Sequence, residues 1–265
     1  MRTITILEED LGSQVVLLSG PPGCGKTSWA LKSLQEHQGS RAYIRLEGES
    51  SPGLEQGIDS GIDQAWLEDQ VPNLQSALPA CKEEDNQLLI IELQEFNSPE
   101  KNGIDAFGVI VSDQLNKLCL KPTTFLHFGR DAELPTNDTL DFSTLNSFHH
   151  GLGGAIWDPE SLNAFWFELV NGAYGDVYRA KALMNLPDGR SFFFNWMVSQ
   201  QGSQFLPLNE ISPPNGRPKR VSELVVQGRD LDHKGIRSTI DDCLVSDDVL
   251  EVHQQQLRTQ QKSHS

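Results

Sequence analysis

The chain has 265 residues, of which 37 are acidic and 21 are basic, so its formal net charge at pH 7 is −16. A surface this negative repels polyanions, which argues against a nucleic acid or an anionic membrane as a partner. The sequence has no apolar run near the ~20 residues that cross a bilayer, no secretory or transit signal and no closely spaced cysteine pair, so we expect a cytoplasmic protein with reduced thiols.

Short apolar runs alternate with helical patterns through the first part of the chain. The predicted strands cover residues 15–18, 42–46, 87–92 and 123–128, and the predicted helices begin near 26, 63 and 103. Strands separated by helices indicate βαβ units and a mainly parallel sheet. The strand at 87–92 is almost entirely apolar, which predicts an interior position with both faces covered.

The pattern changes after about residue 170. Two apolar segments flank the turn Pro187-Asp188-Gly189, which predicts a β-hairpin, and a further strand near 221–226 precedes a helix. The predicted fold class is therefore α/β, with a P-loop domain and a smaller α+β domain. The predicted domain limits are 1–170 and 171–250, followed by a polar tail at 251–265.

The segment GPPGCGKTS, between the first strand and the first helix, fits the phosphate-binding pattern G-x-x-x-x-G-K-[ST]. Gly20, Gly23 and Gly25 let backbone N–H groups converge on phosphate oxygens, and the helix N-terminus adds a partial positive charge. Cys24 lies at a variable position of the pattern and is interpreted as a small filler, and Ser28 follows the pattern directly. These residues are predicted to contact a nucleotide.

Two side chains of this loop, Lys26 and Thr27, carry its chemistry. Lys26 is predicted to neutralise the β- and γ-phosphates, and the Thr27 hydroxyl to ligate Mg²⁺. Hydrolysis also needs an acidic residue at a neighbouring strand end, and Glu92 is the candidate, with a plain strand-end carboxylate as the alternative. Glu47 and Glu49 lie in a predicted loop at 47–62, where they either approach the metal or are simply solvated.

Asp131 follows the fourth predicted strand, in the segment Phe128-Gly-Arg-Asp. GTP-binding P-loop proteins read guanine with an Asp at this place, usually within N-K-x-D. Here Gly129 and Arg130 replace the Asn and Lys. Asp131 is therefore a candidate for recognition of the guanine base, with an ordinary turn Asp as the alternative, and GTP is favoured over ATP.

Four segments of the second half resemble the C-terminal domain of CobW-like proteins. They are a V-x-R-A-K strand at 177–181, a hairpin strand containing Trp196, the segment ELVVQGRDLD at 223–232, and the helical IDDCL at 240–244. With the P-loop, this resemblance implies a GTPase of the SIMIBI class that uses GTP and Mg²⁺. It also implies an unknown client protein and a role in metal or cofactor homeostasis.

The chain departs from the family pattern at four motifs. The family's C-x-C-C metal motif is absent, its Glu-x-Ser-Gly has become Glu92-Leu-Gln-Glu, its Asn-Glu-x-Gly is only loosely matched by Leu46-Glu47-Gly48, and its base motif is altered. These departures predict a nucleotide-binding protein with weak or slow hydrolysis, for which Lys26 and Glu92 would be the catalytic residues. The alternatives are a non-catalytic nucleotide-binding adaptor and an ATP-dependent kinase, although no Arg-rich lid supports the kinase.

Overall fold

The computed structural model describes residues 13–21, 23–46, 61–75, 86–93, 108–129, 145–200 and 202–263. The chain divides into two compact units, Met1–Ser143 and Thr144–Ser265. In unit 1 the elements are β1 (Gln14–Ser19), α1 (Lys26–Glu36), β2 (Ser40–Leu46), α2 (Ile62–Gln70), β3 (Gln87–Leu93), α3 (Gly108–Lys117) and β4 (Thr124–His127).

The sheet of unit 1 is parallel and has the strand order β2-β3-β1-β4. All residues of β3 are buried, which confirms the interior position predicted from its apolar sequence. Leu89, Ile91 and Leu93 form one core with Val111 and Leu115 of α3. The alternate residues of β3 point to the opposite face, because successive side chains of a strand alternate.

The strand register brings polar side chains together at the carboxyl ends of these strands. Glu92 of β3 lies level with Leu18 of β1 and Arg45 of β2, while Ser19 lies level with His127 of β4. Ser19 and His127 are both buried, and the Ser19 hydroxyl lies 2.8 Å from His127 Nδ1. Ligands of open α/β sheets bind at this edge of the sheet.

Unit 2 contains an antiparallel sheet of strand order β5-β9-β6-β7-β8. Its elements are β5 (Asn146–Gly151), α4 (Pro159–Val170), β6 (Asp176–Asn185), β7 (Ser191–Met197), β8 (Gln204–Pro207), β9 (Glu223–Arg229), α5 (His233–Cys243) and α6 (Asp247–Ser263). The hairpin predicted around Pro187-Asp188-Gly189 is confirmed as β6–β7. The fold class expected from the sequence, an α/β unit followed by an α+β unit, is therefore present.

Helix α4, which the sequence analysis did not predict, supplies a large part of the core of unit 2. The Asp158 carboxylate accepts hydrogen bonds from the backbone N–H and the hydroxyl of Ser161, and Pro159 occupies the first turn. Four buried side chains then follow at helical spacing and join the core of the unit: Leu162, Phe165, Trp166 and Leu169. The core contact, more than intrinsic propensity, stabilises this aromatic-rich helix.

Strand β5 and helix α4 belong to unit 2, whereas the sequence division at residue 170 would place them in the first domain. β5 pairs along its whole length with β9, and Phe148 of β5 is buried in the same core as α4. A boundary at 170 would therefore cut through one sheet and one core.

The polar C-terminal segment is helical as α6 to Ser263 and is held by specific contacts. The Gln254 side chain bonds both the N–H and the carbonyl of Gly216, at 2.7 and 2.8 Å. Arg258 donates to the Pro214 carbonyl at 2.7 Å, and Arg217 pairs with Asp247. In the described portion of the chain, no helix has the length and apolarity to cross a membrane.

We predict that Asp158→Ala lowers the free energy of unfolding by about 1 kcal/mol, because it removes the N-cap of α4. Asp158→Asn should retain most of the stability, since the amide oxygen still accepts the Ser161 N–H. Urea denaturation of the three proteins at neutral pH measures both values.

The same substitution carries a pH dependence. The hydrogen bonds from Ser161 lower the pKa of Asp158 in the folded protein. The carboxylate therefore adds to the free energy of unfolding above the pKa of Asp in the unfolded chain, and this contribution is lost as the pH falls through the pKa in the folded protein. The difference between wild type and Asp158→Ala should therefore shrink in acid. A difference that stays constant with pH would contradict this assignment.

Candidate functional site

The loop between β1 and α1 requires glycine for two reasons, its backbone conformation and its packing. Gly20, Gly23 and Gly25 have φ angles of 135°, 79° and 96°, which side-chain-bearing residues rarely adopt. A Cβ on Gly20 would also lie 2.8 Å from the Cβ of Phe128, whereas a Cβ on Gly25 would meet nothing within 4 Å. Gly20 is thus required by packing as well, and Gly25 by backbone conformation.

Helix α1 begins directly after Gly25, which caps it without a side-chain hydrogen bond. The first intrahelical bond described is donated by Trp29 to the Gly25 carbonyl, and the first turn contains no acidic residue. The first backbone N–H groups of a helix have no intrahelical acceptor, and they carry the positive end of the helix dipole. The N-terminus of α1, with exposed Ser28 in its first turn, is therefore suited to bind an anion.

The ammonium group of Lys26 is buried beneath this loop. Its Nζ donates to the carbonyls of Gly20 and Pro21 at 2.8 and 3.0 Å, and lies 3.8 Å from both the Cys24 Sγ and a Glu92 carboxylate oxygen. Cys24 is also buried, consistent with a small filler under the loop. The structure thus brings Lys26 and Glu92, which the sequence predicts to act together, into one cluster.

Glu92 is held from its other side by Tyr43 of β2. The Tyr43 hydroxyl donates to Glu92 Oε2 at 2.9 Å, and both side chains are buried. Burial, followed by the charges of Glu92 and Asp63, raises the pKa of Tyr43 well above its usual value, while Arg45 acts in the opposite direction. Tyr43 therefore stays neutral at physiological pH and keeps its hydroxyl hydrogen bond to Glu92.

Asp63, in the first turn of α2, is a site residue that sequence reasoning missed. Its Oδ1 accepts from the Thr27 hydroxyl at 3.0 Å, and its Oδ2 lies 3.5 Å from Arg45 Nη1. The carboxylate is buried, although an acidic residue in a first helical turn is ordinarily a solvated partner of the helix dipole. The sequence places Asp63 at the start of a helix, but no local pattern shows that this turn lies against the phosphate-binding loop.

Three other predicted site residues, Glu47, Glu49 and Asp131, lie outside the described residues. Their assignment to the metal shell or to the guanine base stays a prediction.

Among the described residues, oxygen donors for a metal at this loop include the Thr27 hydroxyl, the Asp63 carboxylate that it contacts, and the Glu92 carboxylate beside Lys26. Mg²⁺ prefers oxygen ligands, and it is commonly bound by one or two carboxylates together with phosphates of the substrate. Within the described ranges, no group of three or more His, Cys, Asp or Glu side chains is arranged to hold a metal ion. The donor set fits Mg²⁺ completed by a phosphate ligand better than a resident transition metal.

Residues 154–244 match the family model described as the cobalamin synthesis protein cobW C-terminal domain. This segment, about a third of the chain, is similar to that domain. The match begins before α4 and ends just after α5, so it includes the hairpin β6–β7 and strand β9, on which the resemblance in sequence depends. The CobW-like character inferred from those motifs is confirmed for this part of the chain.

Two solved structures align with the chain over most of its length. The Zn(II)-bound YjiA GTPase from E. coli is 11% identical, with 87% of this chain and 98% of that chain covered and a TM-score of 0.32. A Zn(II)-bound triple mutant of YjiA is also 11% identical, with coverage of 87% and 99% and a TM-score of 0.33. TM-scores this low do not establish a shared overall arrangement. No curated protein sequence gives a significant match.

We predict that Tyr43→Phe lowers the free energy of unfolding by about 1–3 kcal/mol, because a buried carboxylate loses its hydroxyl donor. Tyr178→Phe is the matched control, since the half-buried Tyr178 ring keeps its contact with the Arg229 guanidinium. Urea denaturation compares the two variants with wild type, and equal small effects would show that Tyr43 does not hold Glu92.

Proposed function

We propose that the chain is a CobW-type protein that binds GTP with Mg²⁺ through the loop at residues 20–28 and hydrolyses it slowly. The observation that carries the proposal is the cluster beneath this loop. There Lys26 contacts Glu92 and Thr27 contacts Asp63, so the cation and the hydroxyl expected at a nucleotide's phosphates each lie beside a carboxylate.

Lys26 is positioned to exchange its present acceptors for phosphate oxygens. The Gly20 and Pro21 carbonyls are neutral acceptors, and a phosphate oxygen is a stronger one for the ammonium because it carries a negative charge. The N–H groups at the start of α1 would bind the same phosphates. Both contributions depend on the left-handed backbone at Gly23 and Gly25.

Thr27, Asp63 and Glu92 are the residues that would hold Mg²⁺ next to those phosphates. When bound, the ion neutralises charge on the β- and γ-phosphate oxygens. The Thr27 hydroxyl donates a hydrogen bond to Asp63, so the lone pairs of its oxygen remain available for the cation. Tyr43 keeps Glu92 in one orientation, as its hydrogen bond to Oε2 requires.

The CobW C-terminal domain supports the assignment of the chain to CobW-type nucleotide-binding proteins. On this basis we propose that Asp131 reads the guanine base. We also propose that the nucleotide state controls contact with a client protein in metal or cofactor homeostasis, in the cytoplasm.

A non-catalytic nucleotide-binding adaptor is the second candidate. It is favoured by one observation: both carboxylates near the phosphate position already interact with cations of this chain, Asp63 with Arg45 and Glu92 with Lys26. Release of inorganic phosphate under multiple-turnover conditions distinguishes the two candidates, because the adaptor would bind GTP without measurable release.

We predict that Lys26→Ala abolishes GTP binding, because it removes the cation aimed at the β- and γ-phosphates. Lys32→Ala is the matched control on the same helix, since the Lys32 side chain is exposed and pairs only weakly with Glu36 at 3.8 Å. Calorimetric titration with GTP and Mg²⁺ measures both. Equal affinity in wild type and Lys26→Ala would show that the loop does not bind phosphate.

We predict that wild type prefers GTP over ATP and that Asp131→Ala reduces this preference at least about tenfold, the effect of losing hydrogen bonds to a charged acceptor. Competition of GTP and ATP against a fluorescent guanine nucleotide, with and without Zn²⁺ or Co²⁺, measures the preference and any coupling to a transition metal. An unchanged preference in Asp131→Ala would remove Asp131 from the base site.

A further inference from the structure

Arg45 places a fixed positive charge beside the carboxylates that would hold Mg²⁺. Its Nη1 lies 3.5 Å from Asp63 Oδ2, and its side chain is 19% exposed. In the sheet, Arg45 of β2 is the register partner of Glu92 of β3. The guanidinium thus pairs with Asp63, and Arg45 is the cross-strand neighbour of Glu92.

Two ion pairs lie in this largely buried cluster. Lys26 pairs with Glu92, and Arg45 pairs with Asp63. A buried carboxylate without a cation nearby is costly, and truncating one partner of a buried pair leaves the other uncompensated. Arg45 therefore supplies at Asp63 the neutralisation that a divalent cation supplies in a site that lacks such an arginine.

Arg45 and Mg²⁺ compete for the same carboxylate. Asp63 already accepts the Thr27 hydroxyl on Oδ1, and Arg45 lies at Oδ2. A cation next to Thr27 would gain less from Asp63 while the guanidinium is in place, because like charges repel strongly in a poorly hydrated site.

We propose that Arg45 is a positioning residue that orients and neutralises Asp63, and thereby makes nucleotide binding by this chain only weakly dependent on Mg²⁺. This inference rests on the proposed function, since it concerns the nucleotide bound at the loop of residues 20–28. The inference concerns how strongly Mg²⁺ changes the affinity for the nucleotide. That coupling is separate from whether either ligand binds.

The test measures the affinity for a fluorescent GTP analogue with Mg²⁺ and with EDTA. The Mg²⁺ ratio is the affinity with Mg²⁺ divided by the affinity with EDTA. In wild type this ratio should be small, and in Arg45→Gln it should rise about tenfold or more, because Asp63 regains its attraction for the cation. Arg45→Lys should restore a ratio near that of wild type. Arg41→Gln is the control on the same strand, where Arg41 donates to the Leu34 and Pro72 carbonyls.

A paired variant keeps the test valid if Arg45→Gln alone folds poorly. Arg45→Gln/Asp63→Asn removes both charges of the pair, so the cluster stays balanced and the ratio should remain as small as in wild type. A merely structural arginine would change stability without changing the ratio.

The outcomes distinguish a failure of the inference about Arg45 from a failure of the proposed function. If wild type binds the analogue and Arg45→Gln shows the same Mg²⁺ ratio, the inference about Arg45 is overturned and the proposed function stands. If the paired variant shows a high ratio, the charge account is overturned as well. If wild type binds no nucleotide under either condition, the proposed function itself fails.

Discussion

A lysine ammonium buried beneath a loop must be satisfied by nearby oxygen atoms, because an unpaired buried charge costs several kcal/mol. Lys26 meets this requirement with two loop carbonyls and the Glu92 carboxylate. The buried Glu92 carboxylate in turn accepts a hydrogen bond from the Tyr43 hydroxyl. Nearby, Thr27 and Arg45 both contact the buried Asp63 carboxylate. Strands β2 and β3 and helices α1 and α2 are thus linked by one polar cluster at the carboxyl edge of the sheet.

Unit 2 depends on a different interaction, the packing of aromatic side chains from α4 against its antiparallel sheet. Trp166 of α4 contacts Phe194 of β7 with ring centroids 4.9 Å apart, and Phe165 of α4 stacks on Trp157, just before the helix, at 5.3 Å. The strands contribute alternate residues to this core, as one covered face of an antiparallel sheet requires. The segment that matches the CobW C-terminal model is therefore part of a compact unit with its own core.

The sequence predicts the features of the site that are local, and it misses those that arise from packing. The glycine pattern and the strand–loop–helix context predict the loop and Lys26, and the strand end predicts Glu92. Asp63 is separated from Thr27 by 36 positions, and only the packing of α2 beside α1 brings the two side chains within 3.0 Å. Single-residue patterns carry no information about such long-range contacts.

The omission of α4 has a different cause. Its start has strong local signals, an Asp followed by Pro, and its apolar residues recur at helical spacing, so the helix itself can be predicted from the sequence. Its assignment to unit 2 is not local, because it depends on β5 pairing with β9, across more than 70 residues of sequence. The limits of the second unit therefore could not be derived from local composition.

A crystal structure of the protein with a non-hydrolysable GTP analogue and Mn²⁺ would show whether the loop at residues 20–28 binds phosphate through Lys26. We predict phosphate density at the N-terminus of α1, with Lys26 Nζ moved from the Gly20 and Pro21 carbonyls to phosphate oxygens. We also predict an anomalous Mn²⁺ peak beside the Thr27 hydroxyl. Nucleotide density elsewhere, or a complex in which Lys26 keeps its two carbonyl acceptors and contacts no phosphate, would rule out this binding site.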